Sequence, residues 1–280
     1  MTRPKLPVFF FLILIVACAG ENPGKKAAQE LGWELGFQAW TFHLFTFAEA
    51  LVKGDSCGLS NVEAYSGQEI GGGIEGTTEY TMDQSTRNKM KELLTANGMK
   101  IRAYGVVVPE DSAGWVQLFD FAKDMGIEVI TSDPGWKDLD LVEKLADEYN
   151  IKVAIHNHPA PSRYWTPDSA LLALNNRSKN LGVCPDIGHW VRSGLDPVDC
   201  LKKLQGRIII VHFKDVSDKS PESYDVPWGT GVIDVPAVLA ELKRQGFKGL
   251  FDIEYEYNWY NNVPEIKECV KNFYEITAKL

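Results

Sequence analysis

Basic residues are in the minority in this 280-residue chain, which has 29 Lys and Arg against 38 Asp and Glu and a formal charge of -9. A surface this acidic repels phosphate backbones and anionic lipid headgroups, so we expect no nucleic-acid partner. Cysteine is also scarce: the five residues show no CxxC spacing, which argues against a disulfide framework and a thiolate zinc site. We expect most of them to be buried free thiols. The remaining composition, 45% hydrophobic and 24% charged, is ordinary for a globular protein and excludes disorder and coiled coils.

The sequence has a single long hydrophobic run, which lies near the N-terminus. The stretch from Val8 to Val16 is unbroken and follows the basic residues Arg3 and Lys5. Nine apolar residues are too few to span a bilayer but match the core of a signal peptide. We therefore predict that the protein is exported.

The apolar stretch leads into a short segment that ends in Ala17-Cys18 and resembles a bacterial lipobox. The resemblance implies a signal peptide over residues 1–18, acylation of Cys18, and a polar tether over residues 19–30. The alternative is ordinary cleavage near Ala19 with loss of the cysteine. We expect a lipoprotein with a lipid anchor, located in the periplasm or tethered to the outer membrane.

Short β-branched or aromatic runs alternate with longer amphipathic segments over residues 31–280. Strict alternation of this kind indicates a parallel sheet with right-handed crossovers, and eight units at this length predict an α/β fold, a single-domain (β/α)8 TIM barrel. An open doubly wound sheet is the alternative, but no GxGxxG follows the first strand. The predicted strands are Glu34–Ala39, Asn61–Ala64, Lys100–Tyr104, Glu128–Thr131, Lys152–Ile155, Leu181–Pro185, Ile208–Phe213 and Leu250–Tyr255. The clearest predicted helices are Asp83–Ala96, Trp115–Met125, Leu139–Tyr149, Val235–Gln245 and Glu265–Ala278.

Residues capable of chemistry collect at the ends of the predicted strands, where such barrels build their active sites. All five histidines lie at or just beyond a strand end: His43, His156, His158, His189 and His212. Six tryptophans do the same: Trp40, Trp136, Trp165, Trp190, Trp228 and Trp259. We interpret this clustering as a functional mouth at one end of the barrel.

Strands five to eight each end in residues that bind metals. The four segments are His156-Asn157-His158, Asp186-Ile187-Gly188-His189, His212-Phe213-Lys214-Asp215 and Glu254-Tyr255-Glu256. One inward imidazole or carboxylate from each strand supplies four ligands around one point. Mixed nitrogen and oxygen ligation suits Mn, Zn, Co or Fe better than Ca.

Three segments show a resemblance to a known family. They read CPDIGHW (184–190), VHFKD (211–215) and WGTGVIDVPAVLAELKRQGFKGLFDIEYE (228–256). From Leu31 onward the chain resembles the xylose-isomerase-like barrels, often labelled sugar phosphate isomerase/epimerase and related to AP endonuclease family 2. The resemblance implies one divalent metal ion (Mn, Zn, Co or Mg) held by Asp186, His212 and Glu254. The family commonly has Glu-Asn-His where this chain has His156-Asn157-His158, so His156 is expected to be the fourth ligand or to lie beside it.

The expected function is proton transfer next to the carbonyl of a sugar, as in an isomerase or epimerase. Glu254 is the candidate base, His156 or His189 the opposing acid or base, and Lys214 the group that stabilises the oxyanion. Export and the acidic surface favour a non-phosphorylated sugar, glycoside or keto-sugar. The expected substrate-binding residues are Trp40, His43, Glu63, Trp136, His158, Trp165, Trp190, Trp228, Glu256 and Trp259.

The replacement of glutamate by His156 keeps other functions open. A keto-sugar lyase or hydratase uses the same proton abstraction and does not need two glutamates. A non-catalytic carbohydrate-binding lipoprotein on an enzyme scaffold also suits the aromatic mouth, and metal content distinguishes it from an enzyme. An AP-endonuclease-like nuclease would require a basic groove, which the charge disfavours.

Overall fold

The computed structural model describes residues 22–280, in which eight parallel strands form a barrel. The barrel strands are β1 (Trp33–Gln38), β2 (Asn61–Ala64), β5 (Lys100–Tyr104), β6 (Val129–Ser132), β7 (Lys152–His156), β8 (Leu181–Cys184), β9 (Val211–Phe213) and β10 (Gly249–Ile253). The first and last strands pair directly, and two isolated bridges, Val183–Ile208 and Asp186–His212, connect β8 to β9. A small hairpin of β3 (Glu69–Gly71) and β4 (Ile74–Thr77) follows β2 and was not expected from the sequence. The (β/α)8 barrel is confirmed.

Helices alternate with these strands and cover the outside of the barrel. Their bounds are α1 (Pro23–Leu31), α2 (Phe47–Ser56), α3 (Gln84–Ala96), α4 (Ser112–Met125), α5 (Leu139–Tyr149), α6 (Pro167–Ala173), α7 (Ile187–Arg192), α8 (Pro197–Lys203), α9 (Val235–Arg244) and α10 (Val263–Thr277). A short 3-10 helix at Ala39–Phe42 follows β1. The five helices predicted from the sequence are all present, within three residues at each end.

The interior of the barrel is filled from the bottom by small and branched side chains. Ala103, Ala154, Cys184, Ile210 and Leu250 form this plug. Since side chains two residues apart on a strand point to the same side, the next inward residues are His156, Asp186, His212 and Asp252. The apolar plug therefore supports a layer of polar residues at the carboxyl ends of strands β7 to β10.

The N-terminal helix α1 corrects the predicted tether. Asn22 caps it by accepting the backbone N–H of Gly24, and Gly32 ends it in the left-handed conformation. A Cβ on Gly24 would lie 1.8 Å from the carbonyl oxygen of Tyr274, so the glycine allows α1 to pack closely on α10. The tether prediction is therefore wrong for residues 23–30, which belong to the folded domain. The predicted signal peptide over 1–18 lies outside the described residues.

The state of the cysteines and the apolar character of the helices concern the whole domain. Cys57, Cys184, Cys200 and Cys269 are all buried and free, as expected. Within residues 22–280, no helix has both the length and the apolar character needed to cross a membrane.

Candidate metal and active site

Four buried side chains converge above the apolar plug. One ligand atom each from His156, Asp186, His212 and Glu254 lies within 4.8 Å of the other three. The residues come from the ends of four consecutive barrel strands, β7 to β10. The expected convergence of Asp186, His212 and Glu254 is confirmed, with His156 as the fourth member. Their role in metal binding remains a prediction.

Backbone capping fixes the direction of the Asp186 carboxylate. Its Oδ1 accepts the backbone N–H of His189 at 2.8 Å and so caps helix α7. The side chain of Asn157 accepts the backbone N–H of Asp186 and donates to its carbonyl oxygen, both at 2.9 Å. The second oxygen, Oδ2, is thereby directed into the barrel.

The donor set fits a divalent cation. Both ring nitrogens of His156 are buried without a hydrogen-bond partner among the described residues, and Oδ2 of Asp186 accepts no hydrogen bond there although Nζ of Lys214 lies 3.1 Å away. Buried polar atoms without partners are rare and destabilising, so these three require an explanation. Two imidazoles and two carboxylates are a ligand set that suits Zn, Mn, Co or Fe, and a bound ion would give a partner to Oδ2 of Asp186 and to one ring nitrogen of His156.

Glu63 was expected to bind substrate, and the structure corrects this. The carboxylate is fully buried on strand β2, beneath the cavity, with Oε2 at 2.8 Å from Nε2 of His212. The hydroxyl of Thr131 donates to its other oxygen. Glu63 lies within its strand and not beyond its end, so its side chain belongs to the barrel interior. It fixes the His212 ring so that Nδ1 faces Glu254, at 3.1 Å from Oε2.

Lys214 is a buried cation at the centre of the carboxylates. Its Nζ lies 3.1 Å from Oδ2 of Asp186 and 3.1 Å from Oε2 of Glu254, and it also donates to Glu256. Burial alone would lower its pKa, but the three carboxylates outweigh burial, and the pKa of Lys214 is well above its ordinary value. The absence of a side chain at Gly188 leaves room for Lys214, because a Cβ on residue 188 would lie 2.8 Å from Cβ of Lys214.

The same contacts keep Glu254 ionised. Burial by itself raises the pKa of this carboxyl, but the neighbouring Lys214 ammonium and the His212 ring lower it by more, so its pKa lies below the ordinary value. Glu254 is therefore present as a carboxylate at neutral pH, which is the form required of a base.

Three imidazoles line the site opposite Glu254. The ring centroids of His156 and His158 are 4.7 Å apart, and those of His158 and His189 are 5.9 Å apart. Burial lowers the pKa of His158 and, more strongly, that of His189. Both are neutral near pH 7, so they can accept or relay a proton or hydrogen-bond a hydroxyl group.

A cavity of about 350 Å³ opens above the four converging residues. It contains His156, His158, His189, Glu254 and Glu256 from the predicted set, together with Trp40. Four lining residues were missed: Gln38, Tyr65, Ser66 and Val106. Gln38 ends β1, and Tyr65 and Ser66 directly follow β2. The strand-end criterion would have found these three had it been applied to uncharged polar residues.

The aromatic residues divide into two groups. Trp40 lines the cavity and stacks on His43 with centroids 4.5 Å apart, and the edge of Trp259 contacts His43 at 4.2 Å. All five histidines therefore lie at the carboxyl end of the barrel, as predicted. His43 and Trp259 support Trp40 from behind and do not line the cavity themselves.

The other tryptophans lie away from the cavity. Trp190 and Trp228 are 1% exposed and belong to the core, which corrects their assignment as substrate-binding residues. Trp228 packs on Phe213 with centroids 4.5 Å apart. A position after a strand does not determine side-chain direction, and these large rings are buried between barrel and helices. Trp136 is 48% exposed and Trp165 half-buried, and neither lines the cavity.

An ion pair that the sequence analysis did not identify supports the rim of the site. Arg192 pairs with the buried carboxylate of Asp225, which accepts the backbone N–H of Glu256 at 2.7 Å. A guanidinium nitrogen of Arg192 lies 3.5 Å from Nδ1 of His189. The pair thus positions both Glu256 and His189.

Asp215 explains the glycine-rich segment that follows strand β9. Its two oxygens accept the backbone N–H groups of Val216, Gly229, Gly231 and Ile233 at 2.8–3.1 Å. A Cβ on Gly231 would lie 2.4 Å from Oδ1 of Asp215, so this close approach requires glycine. The carboxylate therefore fixes the backbone conformation of the loop that precedes helix α9.

Comparison with known proteins gives consistent matches. A family model described as xylose isomerase-like TIM barrel matches residues 68–276. The inosose dehydratase of Lacticaseibacillus casei is 24% identical over 242 residues, which cover 69% of this chain and 78% of that protein. The crystal structure of an uncharacterised protein from Parabacteroides distasonis is 37% identical, with a TM-score of 0.71, and the match covers 86% of this chain and 97% of that chain. The IolI protein with a bound zinc atom is 20% identical, with a TM-score of 0.68 and coverages of 88% and 98%, and it shares the fold.

Proposed function

Because the chain belongs to the xylose isomerase-like TIM barrel family, we propose that it is a divalent-metal-dependent enzyme that modifies sugars. The proposed reaction begins with proton transfer next to the carbonyl of a non-phosphorylated sugar or keto-sugar. The observation that carries the proposal is the convergence of His156, Asp186, His212 and Glu254 at the bottom of an open cavity. The inosose dehydratases among the relatives of this chain support it.

The proposal assigns metal binding and proton transfer to named residues, and Glu254 and His156 take part in both. His156, Asp186, His212 and Glu254 would hold the ion. A divalent ion bound there supplies Lewis-acid polarisation of the substrate carbonyl. Glu254, which is ionised, removes the proton from the adjacent carbon. Lys214, which stays protonated, is buried outside the lining of the cavity and lies 3.1 Å from Glu254, so it holds this carboxylate in position and does not contact the substrate oxygen.

The imidazoles opposite Glu254 supply the second proton transfer. Epimerisation at one carbon requires a second group that returns the proton from the opposite side, and His156 or His189 would have this role. Elimination requires instead an acid that protonates the leaving oxygen, and an imidazole near neutral pH is well suited to that role. The His156 position and the inosose dehydratases among the relatives favour elimination as the second candidate.

The charge around the mouth supports a substrate without phosphate. The loops that join each barrel strand to the helix after it contain sixteen Asp and Glu against four Lys and Arg. Two of those basic residues, Lys137 and Lys219, lie in exposed loops away from the lining of the cavity. A field of this sign disfavours anions and favours divalent cations and neutral sugars.

The test is product analysis with metal-loaded protein in D₂O. Purified protein is first assayed for bound metal by elemental analysis and is then incubated with neutral sugars, inososes and keto-sugars. We expect solvent deuterium at the carbon next to the carbonyl, with unchanged mass otherwise for isomerisation or epimerisation, and with loss of 18 Da for dehydration. Sugar binding without metal and without deuterium exchange would contradict the proposal and leave the carbohydrate-binding alternative. Glu254→Gln is the matched variant, which should abolish exchange.

A further inference from the structure

The two ends of the barrel carry opposite charge. The mouth loops have the sixteen acidic and four basic residues counted above. At the other end, which we call the basal face, lie the links from each helix to the next barrel strand and the first residue of that strand. These hold one acidic residue, Glu128, and six basic residues: Lys100, Lys152, Arg177, Lys179, Arg207 and Lys248. The chain as a whole is acidic, so the basal face is a local exception.

Most of the basic residues of the basal face form no ion pair with an acidic residue of the described part of the chain. Arg177 pairs with Asp140 and Glu143, and Glu128 pairs with Arg102. Lys100, Lys152 and Lys248 are exposed and form no ion pair within residues 22–280. A recess of about 550 Å³ opens between the strand starts, and Arg102, Lys123, Lys152 and Lys248 contribute to its lining beside Glu34 and Glu128.

The chain also enters the domain on this side. Asn22 starts α1, which packs against the C-terminal part of α10 and leads through Gly32 into the first residue of β1. Twenty-one residues precede Asn22. From Cys18 to Asn22 is four residues, which span at most about 14 Å. An anchor at Cys18 would therefore bring the basal face, and not the mouth, next to a membrane.

We propose that the basal face docks onto an anionic phospholipid surface, with the catalytic mouth directed away from the bilayer. The orientation rests on the anchor predicted at Cys18, and the electrostatic contact rests on the lysines alone. Overall acidity does not oppose the contact, because charges are screened beyond about 8 Å at physiological salt and the acidic mouth is farther away than that. Each lysine close to an anionic bilayer contributes about 1 kcal/mol to attachment, so the basic residues of the basal face together favour contact with it.

The experiment is lysine labelling of the full chain reconstituted into vesicles. The vesicles are phosphatidylcholine alone or a mixture with phosphatidylglycerol, the reagent is a membrane-impermeant acetylating ester, and the readout is mass spectrometry of each lysine. On the anionic vesicles we expect labelling of Lys100, Lys152 and Lys248 to slow by about threefold or more, and the effect to disappear in 0.5 M salt. Lys137 and Lys219 on the mouth are the internal controls and should label equally on both vesicles.

A pair of variants tests whether the charges cause the protection. Replacing Lys100, Lys152 and Lys248 together by Gln should remove the protection of Lys179. Replacing Arg163, Lys137 and Lys219 at the mouth should leave it intact. Equal labelling of the basal lysines on both vesicles, or protection of the mouth lysines, would overturn the proposal. None of these residues contacts the four converging residues, so metal binding and sugar turnover report separately on the proposed function.

Discussion

At the scale of single residues, His156 determines which groups face each other across the cavity. Its ring approaches Asp186 at 3.8 Å and His212 at a centroid distance of 4.8 Å, so it is inside the converging set and not at its edge. A glutamate here would add a third carboxylate to those of Asp186 and Glu254. In the site as built, the buried Lys214 lies between the carboxylates of Asp186, Glu254 and Glu256.

The first prediction is that His156→Glu lowers activity. The new carboxylate repels Glu254 and Asp186, and the imidazole that would act as acid or base is lost. We expect kcat/KM to fall by about 10²–10⁴, the usual effect of removing one positioned acid or base. The measurement compares variant and wild type at equal metal occupancy, with Trp136→Phe as a control outside the cavity. Equal or higher activity in His156→Glu would show that an ordinary two-glutamate epimerase is the better description.

A second prediction concerns Glu63, which acts through His212. The carboxylate holds Nε2 of His212 at 2.8 Å and leaves Nδ1 for the ion. Loss of a partner of this kind typically weakens metal affinity by about 10–100-fold. We expect Glu63→Gln to show this loss in a chelator-competition titration with Mn²⁺ or Zn²⁺. The control is Glu34→Gln, near the start of strand β1 at the opposite end of the barrel. Unchanged affinity with an unchanged melting temperature would mean that Glu63 only fills space.

At the scale of elements, periodicity predicted the barrel because its strands are buried on both faces. After their first residue, runs such as Lys152–His156 and Gly249–Ile253 consist of buried residues that are apolar or face the barrel interior. Such runs can be recognised as strands without knowledge of the exact turn geometry. The ligand positions followed from strand ends for the same reason. Side-chain direction did not follow, and Trp190 shows why: helix α7 begins at once after Asp186, so its ring turns outward into the core.

Short elements held by specific local contacts were the least predictable. Helix α1 exists because Gly24 permits contact with α10 and Asn22 supplies a cap, and neither feature distinguishes it from a polar tether. The β3–β4 hairpin is only three and four residues long, with glycines at its turn, and carries little hydrophobic pattern. Glu63 was misassigned because its place in the strand Asn61–Ala64 does not show whether its side chain lines the cavity or lies beneath it in the barrel interior.

The third prediction tests the Asp215 loop. Four backbone N–H groups donate to this carboxylate, whereas an asparagine offers one carbonyl oxygen and an NH₂ group that cannot accept them. Each donor left unsatisfied costs about 1–3 kcal/mol. We therefore expect Asp215→Asn to lower the free energy of unfolding measured by urea denaturation by at least that amount. Asp218→Asn, at the surface of the same loop, should change it by less than about 0.5 kcal/mol. Equal effects of the two substitutions would contradict the proposed role.

At the scale of the whole molecule, the last prediction concerns export and anchoring. The apolar stretch from Val8 to Val16 and the cysteine after it predict a lipid on Cys18, and the entry of the chain at the basal face suits attachment from that side. We expect the wild type to fractionate with membranes and its N-terminal peptide to carry an acylated Cys18 in mass spectrometry. Cys18→Ser should release the protein or block its processing, because serine cannot accept the thioether-linked lipid, while Glu21→Gln should change neither. A wild-type chain that begins at Ala19 or later and carries no lipid would show that the lipobox resemblance is misleading. The labelling experiment on anionic vesicles would then decide by itself whether the basal lysines bind a membrane.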